Sequence, residues 1–174
     1  MKYSLARMAS LAPRVILSLL WAGLCAAFLA APLLRAMGYS QAAALLFALF
    51  SPVCHQDADR SFTLLGHQWA VCHRCSGIYF GLFLASLLPF RLTRILDAPQ
   101  LRRLWVACAA APILLDALGP FLGVWTNTPF SRLATGFVFG AMLSLLLSTA
   151  LEEFIHEARW KRKRFDAGVL GGLS

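Results

Sequence analysis

The segment VILSLLWAGLCAAFLAAPLL, residues 15–34, decides the fold. It has twenty residues without a charge, and Arg14 and Arg35 flank it. The hydrocarbon core of a bilayer is roughly 30 Å thick, and a helix of about 20 apolar residues crosses it while satisfying its own backbone. We therefore predict a transmembrane helix. A cleaved signal peptide is the alternative, but its apolar core of about 7–15 residues would be shorter.

Three further apolar stretches fit the same interpretation, at residues 76–90, 105–125 and 133–151. The first of these has only fifteen residues. A shorter apolar stretch, Ala42 to Phe50, should form an interfacial or buried helix that ends before Pro52, because proline disfavours helix in the residue before it. We predict an all-α, polytopic membrane protein: one domain over residues 1–174, with a four-transmembrane-helix bundle and a short interfacial helix in the first outer loop.

The composition excludes several other classes of protein. Hydrophobic residues make up 59% of the chain and charged residues 14%, with a mean hydropathy of +0.68. A soluble domain would have about 25% charged residues. A soluble enzyme, a disordered tail and a disulfide-rich secreted module are therefore excluded. The formal charge of +8 then indicates contact with the lipid bilayer, and we expect no nucleic acid partner.

The distribution of lysine and arginine predicts the orientation. In the four-span arrangement twelve of these residues lie on one side and four on the other. Since cytoplasmic loops carry the excess of positive charge, both termini should be cytoplasmic. Residues 36–75 then form an outer loop and residues 152–174 a basic cytoplasmic tail.

Glycines four residues apart predict close helix packing. Such pairs let the backbones of membrane helices approach each other. They occur at Gly77/Gly81, Gly119/Gly123 and Gly136/Gly140.

Residues that can bind metal are concentrated in the predicted outer loop, at Cys54-His55 and Cys72-His73-Arg74-Cys75. Three cysteines and one histidine make the tetrahedral ligand set typical of zinc, with iron as the alternative metal. The fourth ligand could be His55, His67 or His73.

Two other interpretations of the cysteines remain open. Cys72 and Cys75 could form a redox disulfide, since Cys-x-x-Cys lowers a thiol pKa. The cysteines could also be small buried residues without chemistry, which is the interpretation we adopt for Cys25 and Cys108, inside predicted spans.

One carboxylate falls inside a predicted span. Asp116 would cost at least roughly 3 kcal/mol in the bilayer unless it is protonated, paired or turned toward the bundle interior. We take Arg132 as its partner and expect Asn127 nearby. These residues and the three cysteines should converge on one outward-opening pocket. There Asp116 would donate or accept a proton, and Arg132 and Arg60 would hold the anionic head of a lipid or quinone-like substrate.

The motifs resemble a family of small bacterial and archaeal membrane proteins, domain of unknown function 2085. Its pattern is matched at Cys54-His55, Arg60-Ser61, Cys72, Arg74-Cys75, Gly77, Tyr79 and Gly81, and later at Asp116, Asn127, Arg132, Thr135-Gly136 and Gly140. Ala117 stands where the family usually has glycine. The resemblance favours His55 as the fourth metal ligand and implies a bacterial or archaeal inner membrane, but it implies no reaction.

A weaker likeness is to four-helix membrane oxidoreductases that form disulfides and pass electrons to quinone. Cys72-His73-Arg74-Cys75 fits their first cysteine pair, but residues 126–132 lack the second pair. The alternatives to a metal-dependent enzyme are thus a thiol-disulfide oxidoreductase and a non-enzymatic scaffold with a structural metal.

Overall fold

The computed structural model describes residues 2–88 and 99–171, which are mostly helical. The elements in chain order are α1 (Lys2–Ala36), α2 (Ser40–Phe50), a 3-10 turn (Ala58–Arg60), β1 (Ser61–Leu64), β2 (His67–Cys72), α3 (His73–Ser86), α4 (Pro99–Phe121) and α5 (Pro129–Gly171). Within the described residues, three helical segments are long and apolar enough to cross a membrane. They are Arg14–Ala36, Arg103–Phe121 and Pro129–Arg162.

The predicted spans agree with these helices except at their ends. Residues 15–34 lie in α1 and residues 133–151 in α5, which confirms both as helical. The span predicted over residues 105–125 is wrong at its end, because α4 stops at Phe121. There Gly123 adopts a φ of 70°, and the Val124 N–H donates to the Gly119 carbonyl at 3.0 Å, so the chain turns out of the helix.

The predicted 76–90 span falls partly on α3. This helix has 14 residues, a length of about 21 Å, which is less than the hydrocarbon core. Residues 89 and 90 lie outside the described residues. Helix α2 forms as predicted, and its position at the membrane interface stays a prediction. The four-span count therefore stays a prediction.

A β-hairpin interrupts the helical fold and was not predicted. Strands β1 and β2 pair antiparallel through a two-residue turn at Leu65 and Gly66, whose φ angles are 53° and 76°. Positive φ at both positions defines the type I′ turn that favours hairpins. Phe62, Thr63 and Trp69 are strand-forming residues on either side of Gly66 and were the available signal.

The turn gives a first prediction. Leu65 is 68% exposed and adopts a left-handed conformation that costs a non-glycine residue about 1 kcal/mol. Because asparagine tolerates this conformation, Leu65→Asn should raise the melting temperature by roughly 2–4 °C. Leu64→Asn, in the adjoining strand, is the control and should give no gain. Thermal unfolding in detergent measures both, and a lower melting temperature for Leu65→Asn would contradict the strain argument.

Helices α3 and α5 run in the same direction with their backbones in contact. A Cβ atom at Gly77 or Gly81 would overlap the carbonyl oxygens of Leu133 or Phe137 in α5. Likewise, a Cβ atom at Gly136 or Gly140 would overlap carbonyl oxygens of α3. Two of the predicted glycine pairs are thus confirmed as one continuous contact, here called the glycine seam. The third is wrong, since Gly119 packs against the Trp125 ring and Gly123 lies in the turn.

Helix α1 runs antiparallel to α3 and supplies the centre of an aromatic core. The Phe28 ring is fully buried and lies 5.6 Å from Trp69, 6.0 Å from Tyr79 and 5.4 Å from Phe80, measured between ring centroids. Phe50 of α2 joins this core at 6.2 Å from Phe28. The core therefore ties α1, α2, β2 and α3 together at one end of the molecule.

The opposite end is closed by an ion pair. The Arg14 Nε atom lies 2.6 Å from Glu152 Oε1, joining α1 to α5, and an Arg14 guanidinium N–H donates to the Leu88 carbonyl at 3.4 Å. The end with the aromatic core also holds Cys54, Cys72 and Cys75 and is called the cysteine end below.

Candidate metal centre

Three cysteine sulfurs meet at the cysteine end. The Sγ atoms of Cys54, Cys72 and Cys75 all lie within 4.8 Å of one another. Cys54 is buried, and the other two are half-buried. Thiolates bound to one zinc ion at about 2.3 Å in tetrahedral geometry lie about 3.8 Å apart. The three sulfurs are therefore already close to the separation that a single ion requires.

Local structure places each of these sulfurs. Cys54 follows α2, where its N–H donates to the Phe50 carbonyl at 2.9 Å. Cys72 ends β2 and caps the N-terminus of α3, and Cys75 lies in the first turn of that helix. Because β2 runs directly into α3, the sulfurs of Cys72 and Cys75 lie close together at this junction.

Gln56 holds the Cys54 loop against the hairpin. Its side-chain amide donates to the carbonyls of Phe47 at 2.7 Å and Ala70 at 2.8 Å. In turn, Gln68 donates to the Gln56 carbonyl at 2.7 Å. Gln56 has a φ of 53°, which is uncommon outside glycine. The sequence analysis missed this role, and no motif signalled it.

Backbone N–H groups point at two of the sulfurs. The Cys72 N–H donates to Cys54 Sγ at 3.2 Å, and the backbone N–H groups of Cys72 and Gln56 both act to lower the pKa of Cys54. The backbone N–H groups of Cys75 and Arg74 help to lower the pKa of Cys72. Hydrogen bonds to the charged form favour it. The backbone is therefore arranged to stabilise thiolates.

The thiols also affect one another. Hydrogen bonds from the thiols of Cys54 and Cys75 lower the pKa of Cys72 to about 2, whereas the hydrogen bond with Cys72 is the main cause that raises the pKa of Cys54. Protons on such a cluster leave in coupled steps. The cluster thus stabilises one thiolate, and a bound cation would favour deprotonation of the other two thiols.

The histidines do not join the sulfur group among the described side chains. His55 is exposed, and it lines a neighbouring cavity. His73 is buried with its ring centroid 4.2 Å from Phe62, and its Nδ1 atom has no hydrogen-bond partner. His67 begins β2. The structure therefore brings together three candidate ligands, and His55 as the fourth stays a prediction.

Asp116 is buried and paired, but the predicted partner is wrong. Its carboxylate accepts a hydrogen bond from Arg74, the arginine of the cysteine motif, instead of from Arg132. The reason lies in the glycine seam: the Arg74 carbonyl contacts Gly136, which brings the first turn of α3 beside α5, and the Arg74 side chain reaches across to α4. The pair thus joins the metal centre to α4.

Asn127 supports the same region through two hydrogen bonds of its side chain. Its side-chain amide donates to the backbone carbonyl of Asp116, and its oxygen accepts from Trp125 Nε1 at 3.1 Å. These bonds hold the chain after α4 against that helix.

A cavity of about 490 Å³ connects these groups. Its lining comprises His55, Asp57, Arg60, Cys72, Arg74, Ala117, Pro120, Phe121, Asn127 and Arg132. The predicted convergence holds for Cys72, Asn127 and Arg132. Cys54 and Cys75 are not part of this lining, and Asp116 is connected to the cavity through Arg74.

Known proteins resemble this chain over more than half of its length. An uncharacterized protein of Methanocaldococcus jannaschii is 31% identical over 113 residues, which are 64% of this chain and 72% of the relative. An uncharacterized protein of Methanothermobacter thermautotrophicus is 28% identical over 107 residues, 62% of this chain and 95% of the relative. No solved structure matches.

A family model described as a predicted membrane protein matches residues 54–146. This range begins at Cys54 and includes the other two cysteines, Asp116 and Arg132. It therefore covers the metal centre, the cavity and the glycine seam, and the chain belongs to the membrane protein family DUF2085, as its motifs indicated.

Proposed function

We propose that this membrane protein binds one thiophilic metal ion, zinc or alternatively iron, through Cys54, Cys72 and Cys75. The approach of the three sulfurs to within 4.8 Å carries the proposal, and the N–H groups directed at them support it. Three thiolates leave one position of a tetrahedral ion. His55 would close it in a structural site, whereas an external ligand would occupy it in a catalytic one.

We place the centre on the outer face of a bacterial or archaeal inner membrane, with four passes and both termini cytoplasmic. The charge distribution supports this orientation. The directions of the helices also support this orientation, because α1 runs antiparallel to α3 whereas α3 and α5 run parallel. The short α3 would then cross within the bundle, and α2 would lie at the outer interface.

The cavity beside the metal would accept a lipid or quinone-like molecule. Pro120 and Phe121 give it an apolar side, and Phe121 is 86% exposed on α4, where lipid would surround it. Asp116 would move a proton, Asn127 would position the Asp116 backbone, and Arg132 and Arg60 would hold an anionic head. In the non-enzymatic alternative the metal only fixes the outer loop to the bundle.

Elemental analysis of detergent-purified protein, with a free-thiol count, tests the metal. We expect about one equivalent of zinc or iron in the wild type. Cys72→Ser should retain less than a tenth of it, because loss of one thiolate typically weakens a three-sulfur site severely. Cys108→Ser is the matched control, since Cys108 is exposed on α4 away from the cluster, and it should keep full metal content.

The lowered pKa of Cys72 at a helix N-terminus favours the second candidate, a thiol-disulfide oxidoreductase. In that reaction Cys72 and Cys75 would lose two protons and two electrons to form a disulfide, and a quinone would take them up to become a quinol. Thiol trapping would then find a metal-free Cys72–Cys75 disulfide, and that result would reject the metal proposal.

A further inference from the structure

The cavity beside the cysteines has an unbalanced positive charge. Three arginines line it, namely Arg60, Arg74 and Arg132, against one aspartate, Asp57. Asp57 lies 3.2 Å from Arg60 and pairs with it, and Asp116 pairs with Arg74 from behind the lining. The charge of Arg132 is therefore the one left without a carboxylate among the described residues.

Arg132 is half-buried, and within the described part of the chain its guanidinium forms no ion pair or hydrogen bond. A half-buried guanidinium carries five donors and is usually found with acceptors. Arg132 lies in the first turn of α5 and lines the cavity, so its unpaired guanidinium belongs to the cavity lining.

A second unmet donor lies close by. The Nε atom of Arg74 is buried and has no acceptor, although the Nη2 atom of the same guanidinium bonds Asp116. A buried donor without a partner costs about 1–3 kcal/mol, and more when it is charged. Arg74 and Arg132 both line the cavity, and two neighbouring guanidinium groups are an arrangement that binds phosphate or carboxylate.

Part of the cavity lining is apolar. Ala117, Pro120 and Phe121 come from the last turns of α4, and exposed Leu118 adjoins them. A volume of about 490 Å³ lies within the range of roughly 300–1,000 Å³ typical of small-molecule sites. The lining thus offers guanidinium groups to an ionic head and apolar side chains to a hydrocarbon tail.

We propose that Arg132 and Arg74 bind an oxyanion, such as the phosphate head of an anionic amphiphile, in this cavity. This deepens the proposed function, on which it rests, by selecting an anionic lipid-like molecule over a neutral quinone. Arg60, which is exposed and already paired with Asp57, also lines the cavity and would be a weaker contact of the same head group.

Calorimetric titration of the purified protein in nonionic detergent tests this inference. The probes are dihexanoyl phosphatidic acid, inorganic phosphate and, as the neutral lipid control, dihexanoyl phosphatidylcholine. We expect phosphatidic acid to bind, and Arg132→Gln to weaken binding at least about tenfold, because hydrogen bonds to charged groups contribute that much. The affinity of Arg132→Lys for phosphatidic acid should lie between those of the wild type and Arg132→Gln, because lysine keeps the charge but lacks the planar guanidinium group.

Arg103→Gln is the matched control, because Arg103 is exposed near the other end of α4, and it should bind as the wild type does. If inorganic phosphate binds as tightly as the lipid, the oxyanion site is supported and its natural ligand is free phosphate. The inference is overturned if neither phosphatidic acid nor inorganic phosphate binds, or if Arg132→Gln binds phosphatidic acid as tightly as the wild type does.

Metal content is measured in the same samples, so the two proposals can fail separately. If the wild-type protein holds metal but binds neither phosphatidic acid nor inorganic phosphate, the oxyanion site alone is rejected. Protein that binds phosphatidic acid in an Arg132-dependent manner but contains no metal rejects the metal centre alone.

Discussion

Gly140→Leu should destabilise the protein by about 3 kcal/mol or more and lower its melting temperature by roughly 6–12 °C. A Cβ atom at this position would overlap the main-chain oxygen and Cα of Ile78. Main-chain atoms of a helix cannot rotate away as a side chain can. The two helices would therefore have to separate, which would disrupt the contacts along the whole glycine seam.

Gly23→Leu provides the matched control in α1. It makes the same chemical change in a helix, but no atom lies within 4 Å of the position that its Cβ would occupy. Its melting temperature should stay close to that of the wild type. Thermal unfolding of both variants in one detergent decides the matter, and wild-type stability of Gly140→Leu would mean that α3 and α5 do not pack through this seam.

The seam was visible in the sequence, but its partners were not. Spacing of four residues placed Gly77 with Gly81 and Gly136 with Gly140 on common helix faces. Spacing alone could not tell that these two pairs face each other. It also could not distinguish them from Gly119 and Gly123, where a left-handed φ ends α4. Long apolar runs therefore predicted the helices well, and the chain turns after them poorly.

The cluster of three cysteines was predictable because cysteine is a residue type with distinctive chemistry. Cys54, Cys72 and Cys75 stand out by residue type and meet in the structure as expected. The β-hairpin that presents Cys72 was missed, since the helical interpretation of neighbouring segments hid the turn at Leu65 and Gly66. Gln56 was missed because an amide that bonds two carbonyls leaves no sequence pattern.

Asp116→Ala should cost about 3 kcal/mol, because it removes the partner of a partly buried guanidinium. Only 7% of the Asp116 side chain is exposed and 27% of the Arg74 side chain. Without the carboxylate, Arg74 would lose an acceptor next to an Nε atom that already lacks one. Chemical denaturation of purified protein should show the loss as a lower unfolding midpoint at unchanged slope.

Asp57→Ala is the control for this loss. The Asp57–Arg60 pair is more exposed, at 42% and 62% of the two side chains, so its removal should cost at most about 1 kcal/mol. The Asn127 bond is not affected by either change, since it is made to the backbone carbonyl of residue 116. A large effect of Asp116→Ala would therefore report on the carboxylate itself.

The double variant Arg74→Ala/Asp116→Ala separates the ion pair from other effects. If the two groups interact as the structure indicates, the double variant should be more stable than the sum of the two single losses predicts. Strict additivity would contradict the pairing. Arg74 lies between Cys72 and Cys75, two of the cysteines that we propose bind metal, so the metal content of the same variants also tests whether α4 stabilises the proposed centre. Asp116→Ala should lose metal more readily than Asp57→Ala when both are titrated with a chelator.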